Sequence, residues 1–207
     1  MLPPHACPLV SVVVPTRNRG DRITKAVQAL LLNDYRPFQV IIVDQSDNET
    51  TAKSLSRFRD APAVSYVRTS TRGSSRARNA GIDRAEGEII GLLDDDCEVP
   101  ANWLRELAKA FAVDSRIGIV FGNVQPAPHD SKSGFVPAYI RHEPFLAKTI
   151  REKYQVEGMS ACMGIRRSVW QALGGFDAML GVGASLGAGA EVDLTIRSLQ
   201  ALSLIHI

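Results

Sequence analysis

Glu88-Ile89-Ile90-Gly91-Leu92-Leu93-Asp94-Asp95-Asp96 joins a run that reads as buried strand directly to three carboxylates. A short apolar run closed by polar residues is the pattern of a strand covered on both faces, the kind found in parallel sheets. Adjacent carboxylates repel one another unless solvated or bridged, and hard oxygens at the mouth of a sheet are what Mg²⁺ or Mn²⁺ takes while bound to phosphate. The plainer alternative is an acidic turn that closes a strand. The choice depends on what the other strands carry at the same edge.

Apolar runs and helical spacing alternate through the first half of the chain. Residues 9–14 and 40–43 read as strands, while Ile23, Ala26, Val27, Leu30 and Leu31, then Ala52, Leu55 and Phe58, recur at helical intervals. A strand at 64–67, a helix at 75–85, the strand 88–93 and a helix carrying Leu104, Leu107, Ala108 and Phe111 continue the alternation. Such a chain predicts an α/β fold, a Rossmann-like three-layer α/β/α sandwich with a mostly parallel central sheet. A strand at 117–124 follows. Residues 125–154 hold Pro126, Pro128, Pro137 and Pro144 among mixed charges, and read as a functional excursion rather than a simple connection. A strand at 158–165 and a short helix at 168–173 come next.

Composition bounds the partners. The 207 residues suggest one domain, with 45% apolar and 22% charged residues as in ordinary soluble proteins. The net charge of +2 comes from scattered Lys and Arg, so nothing points to nucleic acid. No uninterrupted apolar stretch approaches the roughly 20 residues of a membrane span. Cys7, Cys97 and Cys162 form no CxxC and no apolar leader opens the chain, which leads us to expect a reducing, cytoplasmic setting.

An open α/β sheet binds its ligand at the carboxyl ends of its strands. The first strand ends in Pro15-Thr16-Arg17-Asn18-Arg19, the second in Asp44-Gln45-Ser46-Asp47, and the fourth in Asp94-Asp95-Asp96, all on one edge. These groups suit a nucleoside diphosphate: carboxylates accept from ribose hydroxyls or a base N–H, Arg pairs with phosphate, and a metal can bridge. Thr71-Arg72-Gly73-Ser74-Ser75-Arg76-Ala77-Arg78-Asn79 adds basic and hydroxylic groups at a helix start, which favours an anion or is simply a solvated cap.

Five ordered segments together resemble a family 2 glycosyltransferase of the GT-A fold. They are Val12-Val13-Val14-Pro15-Thr16-Arg17-Asn18-Arg19, Ile41-Ile42-Val43-Asp44-Gln45-Ser46, Ala77-Arg78-Asn79-Ala80-Gly81-Ile82, Leu92-Leu93-Asp94-Asp95-Asp96 and Leu173-Gly174-Gly175-Phe176-Asp177. The resemblance runs from about residue 8 to residue 197. It implies transfer of a sugar from a nucleotide-diphosphate-sugar donor to an acceptor, with inversion and with Mg²⁺ or Mn²⁺ on the diphosphate. It implies that Pro15, Thr16, Arg17 and Asp44 hold the nucleobase and ribose, that Arg78 lies by the nucleotide, that Asp94 and Asp96 form the DxD metal motif, and that Asp95 contacts ribose. A donor half over residues 8–98 and an acceptor half over 99–202 follow from it. So does a cell-envelope or polysaccharide acceptor, small-molecule or lipid-linked, met in the cytoplasm or at the inner face of the cytoplasmic membrane.

Inversion needs one base for the acceptor proton, which contributes roughly 10²- to 10⁴-fold. The family's base is an Asp in a Gly-Glu-Asp-x-Asp-Leu-type motif, and the corresponding stretch is Gly189-Ala190-Glu191-Val192-Asp193-Leu194. Ala190 stands at the Glu position and Glu191 at the Asp position. Glu191 is therefore the expected base and Asp193 its competitor, against the plain alternative that both acids serve the helix dipole. A helix with Val192, Ile196 and Leu199 as its apolar stripe is expected to start there.

Several other features are expected to be inert. Gly183-Ala184-Ser185-Leu186-Gly187 satisfies G-x-S-x-G, with Asp193 and His206 in hydrolase triad order, but it lacks the strand that a nucleophile elbow needs. The Gly-rich residues 181–189 are expected to form a flexible loop over the acceptor site, able to close when donor binds. His5, His129, His142 and His206 have no metal-ligand spacing and are expected to face solvent, and Trp103 and Trp170 are expected in the core. Residues 203–207 carry no strand signal and resemble translated adapter read-through, so a truncated or non-native end is expected. The alternative functions are an incomplete, non-catalytic nucleotide-sugar-binding module and a nucleotidyltransferase that forms sugar nucleotides, the latter without the Gly-rich phosphate loop it would need.

Overall fold

The computed structural model describes residues 7–128, 130, 132, 134–201 and 203–207. β1 (Val10–Thr16) and β2 (Phe38–Asp44) pair in parallel from Val10 opposite Phe38 to Thr16 opposite Asp44, so their carboxyl ends stop level. β3 (Val64–Arg68) joins the outer side of β2, and β4 (Ile89–Leu92) joins the other side of β1, both in parallel.

Alternation of side chains explains why these strands are apolar throughout. Val10, Val12, Val14, Val40 and Ile42 enter one core with residues of α1 (Ile23–Leu31), α2 (Thr50–Leu55) and α4 (Trp103–Ala112). Val13, Ile41, Val43 and Leu92 enter a second with residues of α3 (Ser74–Ile82) and α6 (Ala190–Gln200). Each fully buried Val, Leu or Ile contributes about 1.5–3 kcal/mol. Either core therefore outweighs the exposed ion pairs, worth about 0–1 kcal/mol each. α3 lies flush on the sheet because Gly81 has no Cβ: one added there would collide with Val13 and stand 3.0 Å from Val43. That close approach brings Arg78, one turn earlier, to the carboxyl edge.

The sheet order is β3-β2-β1-β4-β7-β5-β8-β6, with β5 (Ile117–Phe121), β6 (Leu146–Ala147), β7 (Met163–Arg166) and β8 (Leu204–His206). The first four strands are parallel, as expected. β7 runs antiparallel to both β4 and β5, and β6 antiparallel to β8, so the whole sheet is mixed. The strand expected over 158–165 begins only at Met163, after a 3₁₀ turn at Ser160–Cys162.

The excursion is more ordered than its sequence suggests. It contains β6 and leads into a 3₁₀ stretch, Ile150–Gln155, closed by a capping box between Thr149 and Glu152. Leu204 and Ile205 are buried in β8, which pairs with β5 and β6, contrary to the expectation of no strand there. A three-residue strand is too short for alternation to announce. His206, on that strand, is half-buried rather than solvent-facing, and burial pushes its pKa down. His142 is exposed, while His5 and His129 lie outside the described residues. Trp103 is buried in the first core, and Trp170 of α5 (Arg167–Leu173) packs against the second.

Candidate active site

β1 has β2 on one side and β4 on the other, so the strand order turns back at β1. The crevice at the carboxyl ends of β1 and β4 is the place where an open α/β sheet takes its ligand. A cleft of about 440 Å³ opens there, bordered by Pro15 and Thr16 at the end of β1, by Arg17 just beyond it, and by Asp94, Asp95 and Asp96 after β4.

The three aspartates differ because the chain turns beneath them, the Asp94 carbonyl accepting the Cys97 N–H at 3.2 Å. Asp94 is half-buried, Asp95 buried and Asp96 exposed. Burial pushes the carboxyls of Asp94 and Asp95 up. Arg78 opposes this at Asp94, and the Thr16 hydroxyl and Arg19 oppose it at Asp95. Arg19 reaches across the cleft to both acids, with Nε 3.0 Å from Asp95 Oδ1 and Nη2 3.2 Å from Asp96 Oδ2.

Arg78 links this acidic turn to α6. Its Nη2 lies 3.3 Å from Asp94 Oδ1 and donates to Ser160 Oγ at 2.5 Å, while Nη1 lies 3.5 Å from Glu191 Oε1. Its guanidinium lies 5.9 Å from the Phe176 ring centre, and its buried Nε has no hydrogen-bond partner among the described residues.

Residues two apart on a helix point about 200° from each other, so Glu191 and Asp193 cannot both face Arg78. Glu191 faces Arg78. Asp193 Oδ2 instead accepts from Arg197 at 2.5 and 3.0 Å, and Arg197 also donates to the Leu173 and Gly175 carbonyls, which braces α6 against the end of α5. The buried stripe of α6 is Ala190, Leu194, Thr195, Ser198 and Leu199. Val192 is exposed, contrary to the expected stripe, and Glu191 borders the buried face.

Asp44 is fully buried and does not border the cleft; its Oδ1 accepts the Ser46 N–H at 2.8 Å and its Oδ2 the Tyr66 hydroxyl at 2.7 Å. Gln45 borders the cleft instead, with Nε2 donating to the Gly73 carbonyl at 3.2 Å and Thr71 Oγ1 at 3.3 Å. Strand alternation carries the signal, since successive side chains at the end of β2 take opposite sides. Arg17 Nη2 pairs with Asp47 at 3.0 Å, and Asn18, in the left-handed region at φ 55°, exchanges hydrogen bonds with the same residue. Arg19 stood in the quoted strand end without an assigned role. Ser160 carried no signal at all, lying 82 residues from its partner Arg78.

Other motif residues prove architectural. Asn79 donates to the Phe176 carbonyl at 2.8 Å and accepts its N–H at 3.0 Å, which pins α3 to the Gly174-Gly175 turn. The Gly-rich loop packs against the start of α3 at the rim of the cleft. Its Val182 carbonyl accepts the Ser74 N–H at 2.9 Å, and Val182 and Gly183 border the cleft. Ser185 is exposed, and no hydrogen bond among the described residues joins it to Asp193 or His206.

Among the described residues no three His, Cys, Asp or Glu side chains gather as a metal cage. Mg²⁺ asks for less, one or two carboxylates completed by phosphate and water. Asp94 and Asp96 fit that need: their ion pairs use Oδ1 and Oδ2 respectively, which leaves Asp94 Oδ2 and an Asp96 Oδ1 that receives only the weak Cys97 S–H at 4.0 Å. Charge agrees as well. Asp94, Asp95, Asp96 and Glu191 are paired with only Arg19 and Arg78, and the remaining two negative charges match one divalent cation.

The architecture is that of the GT-A class. A mannosyltransferase from Pyrobaculum calidifontis, solved in complex with GDP-Man and Mn²⁺, superposes with a TM-score of 0.72 at 20% identity, over 97% of this chain and 54% of that one. The profile of Glycosyl transferase family 2 matches residues 11–173, and the chain belongs to that family. Glycosyltransferase AglE of Haloferax volcanii is 29% identical over 122 residues, 57% of this chain and 40% of that protein. The GalNAc(5)-diNAcBac-PP-undecaprenol beta-1,3-glucosyltransferase of Campylobacter jejuni is 29% identical over 119 residues, 56% of this chain and 38% of that protein. The matched stretches thus span less than half of these relatives' length.

Proposed function

We propose that the chain is the donor-binding and catalytic unit of an inverting glycosyltransferase using a nucleotide-diphosphate sugar. Arg78 carries the proposal, because one guanidinium touches both Asp94 on the donor edge and Glu191 on α6. Asp94 and Asp96 would hold Mg²⁺ or Mn²⁺, and a bound cation would neutralise the charge developing on the leaving diphosphate. Pro15, Thr16 and Arg17 frame the nucleobase and ribose, Asp95 contacts ribose, and Asp44 supports that wall from behind Gln45. Glu191 takes the proton of the acceptor hydroxyl, with Arg78 keeping its carboxylate oriented. Asp193 braces the helix that carries it. Residues 8–98 form the donor half and residues 99–202 the acceptor half.

A lipid-linked cell-envelope glycan is the acceptor we favour, supported by the name of the Campylobacter relative. The reaction then takes place at the inner face of the cytoplasmic membrane. No helix among the described residues is long and apolar enough to cross a membrane. The test is release of nucleoside diphosphate from UDP-glucose, UDP-N-acetylglucosamine and GDP-mannose, with Mn²⁺ and a polyprenyl-diphosphate-linked sugar. Release that depends on Glu191 supports the proposal; no transfer and no donor hydrolysis with the full-length protein would leave only a binding module.

A further inference from the structure

We propose, on the donor-site reading above, that Arg19 is a further diphosphate-binding residue, held on Asp95 and Asp96 until a divalent cation and a nucleoside diphosphate arrive together. Its two ion pairs are unequal. Nε is anchored on Asp95, whose side chain is 7% exposed, while Nη2 rests on Asp96, whose side chain is 54% exposed. The second pair is solvent-screened and weak. A divalent cation on Asp96 would face the Arg19 guanidinium at close range, and the side chain must give way.

Arg19 has somewhere to go. It borders the cleft, and its bonds to the acids use Nε and Nη2, leaving the Nη1 donors for a phosphate oxygen, to which a guanidinium fork is well matched. Its backbone is steadied, because the preceding Asn18 donates its N–H to Ser46 Oγ at 2.7 Å and is bound to Asp47 on two sides. Release of Asp96 therefore calls for rotation of a side chain and not for movement of the loop. Arg17 and Arg72 differ, since both pair with Asp47, away from the acidic turn. Arg78 differs too, being buried among Asp94, Ser160 and Glu191.

Cation and nucleotide should then bind cooperatively. The cation displaces Arg19 from Asp96 at a cost, and a diphosphate that receives the freed guanidinium repays it. By linkage each ligand raises the affinity of the other equally.

Mn²⁺ binding, followed by the loss of its free-ion paramagnetic resonance signal, tests this with Mn²⁺ alone and with saturating UDP or GDP. Arg19→Gln should bind Mn²⁺ alone about two- to fivefold more tightly than wild type, the scale of one screened ion pair, and its nucleotide-induced gain should shrink by about the same factor, the part left being direct coordination of Mn²⁺ by phosphate. Arg19→Lys should fall between the two. Arg22→Gln removes a neighbouring cation that also borders the cleft, and should leave affinity for Mn²⁺ alone within about twofold. Unchanged affinity for Mn²⁺ in Arg19→Gln, an equal rise in Arg22→Gln, or full retention of the nucleotide-induced gain would overturn the role of Arg19 while leaving the donor cleft in place. Wild-type protein that binds Mn²⁺ with neither nucleotide would overturn both.

Discussion

Nη1 of Arg78 lies 3.5 Å from Oε1 of Glu191, across 113 residues of sequence. With Asp94 on its other terminal nitrogen, this arginine links the acidic turn after β4 to the first turn of α6. Glu191→Gln keeps the size and the hydrogen bond but cannot take a proton. It should lower kcat by roughly 10²- to 10⁴-fold and leave the nucleotide Kd within about twofold, measured by product release and calorimetry side by side.

Arg78→Ala should do something different. It removes the guanidinium that bridges Asp94 and Glu191 and takes the Arg78 donor from Ser160 Oγ. Because the two acids keep partial access to water, we expect a loss of about 1–3 kcal/mol in urea unfolding, less than for a fully buried pair. Added Mn²⁺ should restore part of it by replacing the lost positive charge.

Asp193→Asn separates the two acids of α6. Its carboxylate serves Arg197 and the end of α5, so the substitution should cost about 1 kcal/mol of stability and leave most turnover intact. A collapse of kcat in Asp193→Asn at unchanged donor affinity would instead make Asp193 the base.

Much of the sheet's carboxyl edge was legible because β1, β2 and β4 are solid apolar runs that end in polar residues, and the parallel-sheet rule sends those ends to one side. What each end residue does was less legible. Asp44 and Gln45 are neighbours in sequence, yet the hydroxyl of Tyr66 on β3 takes Asp44 inward and leaves Gln45 at the cleft. Arg19 could be placed at a strand end but not paired, since its partner Asp96 lies 77 residues away and Asp95 just before that. The far half was obscured by long-range pairing: β7 slots between β4 and β5 in the opposite direction, and β6 and β8 are too short for periodicity to find. Which of Glu191 and Asp193 faces Arg78 needed the buried stripe of α6, which runs through Ala190 and Leu194 rather than Val192.

Thiol chemistry offers an independent check on the cleft wall. Burial, with the nearby Asp94 and Asp96 charges, pushes the Cys97 thiol up to about 12, and burial raises Cys162 as well, whereas Cys7 is exposed. A raised pKa means less thiolate at a given pH, about tenfold less per unit. At pH 8 an aromatic disulfide reagent should modify Cys7 first, with Cys97 and Cys162 lagging by more than about tenfold, and the lag should shorten as pH rises. Equal rates at Cys7 and Cys97 would mean that the acidic turn is more open than described.

Calorimetric titration of the protein with UDP and GDP, with and without Mn²⁺, in wild type and Asp96→Ala, bears most directly on the claim that the cleft between β1 and β4 is a cation-dependent nucleoside-diphosphate site. Wild type should bind at least one of the two about tenfold or more tightly when Mn²⁺ is present, and Asp96→Ala should lose that gain while keeping the weak metal-free binding. Nucleotide binding that ignores Mn²⁺, or an Mn²⁺ gain that survives in Asp96→Ala, would contradict it.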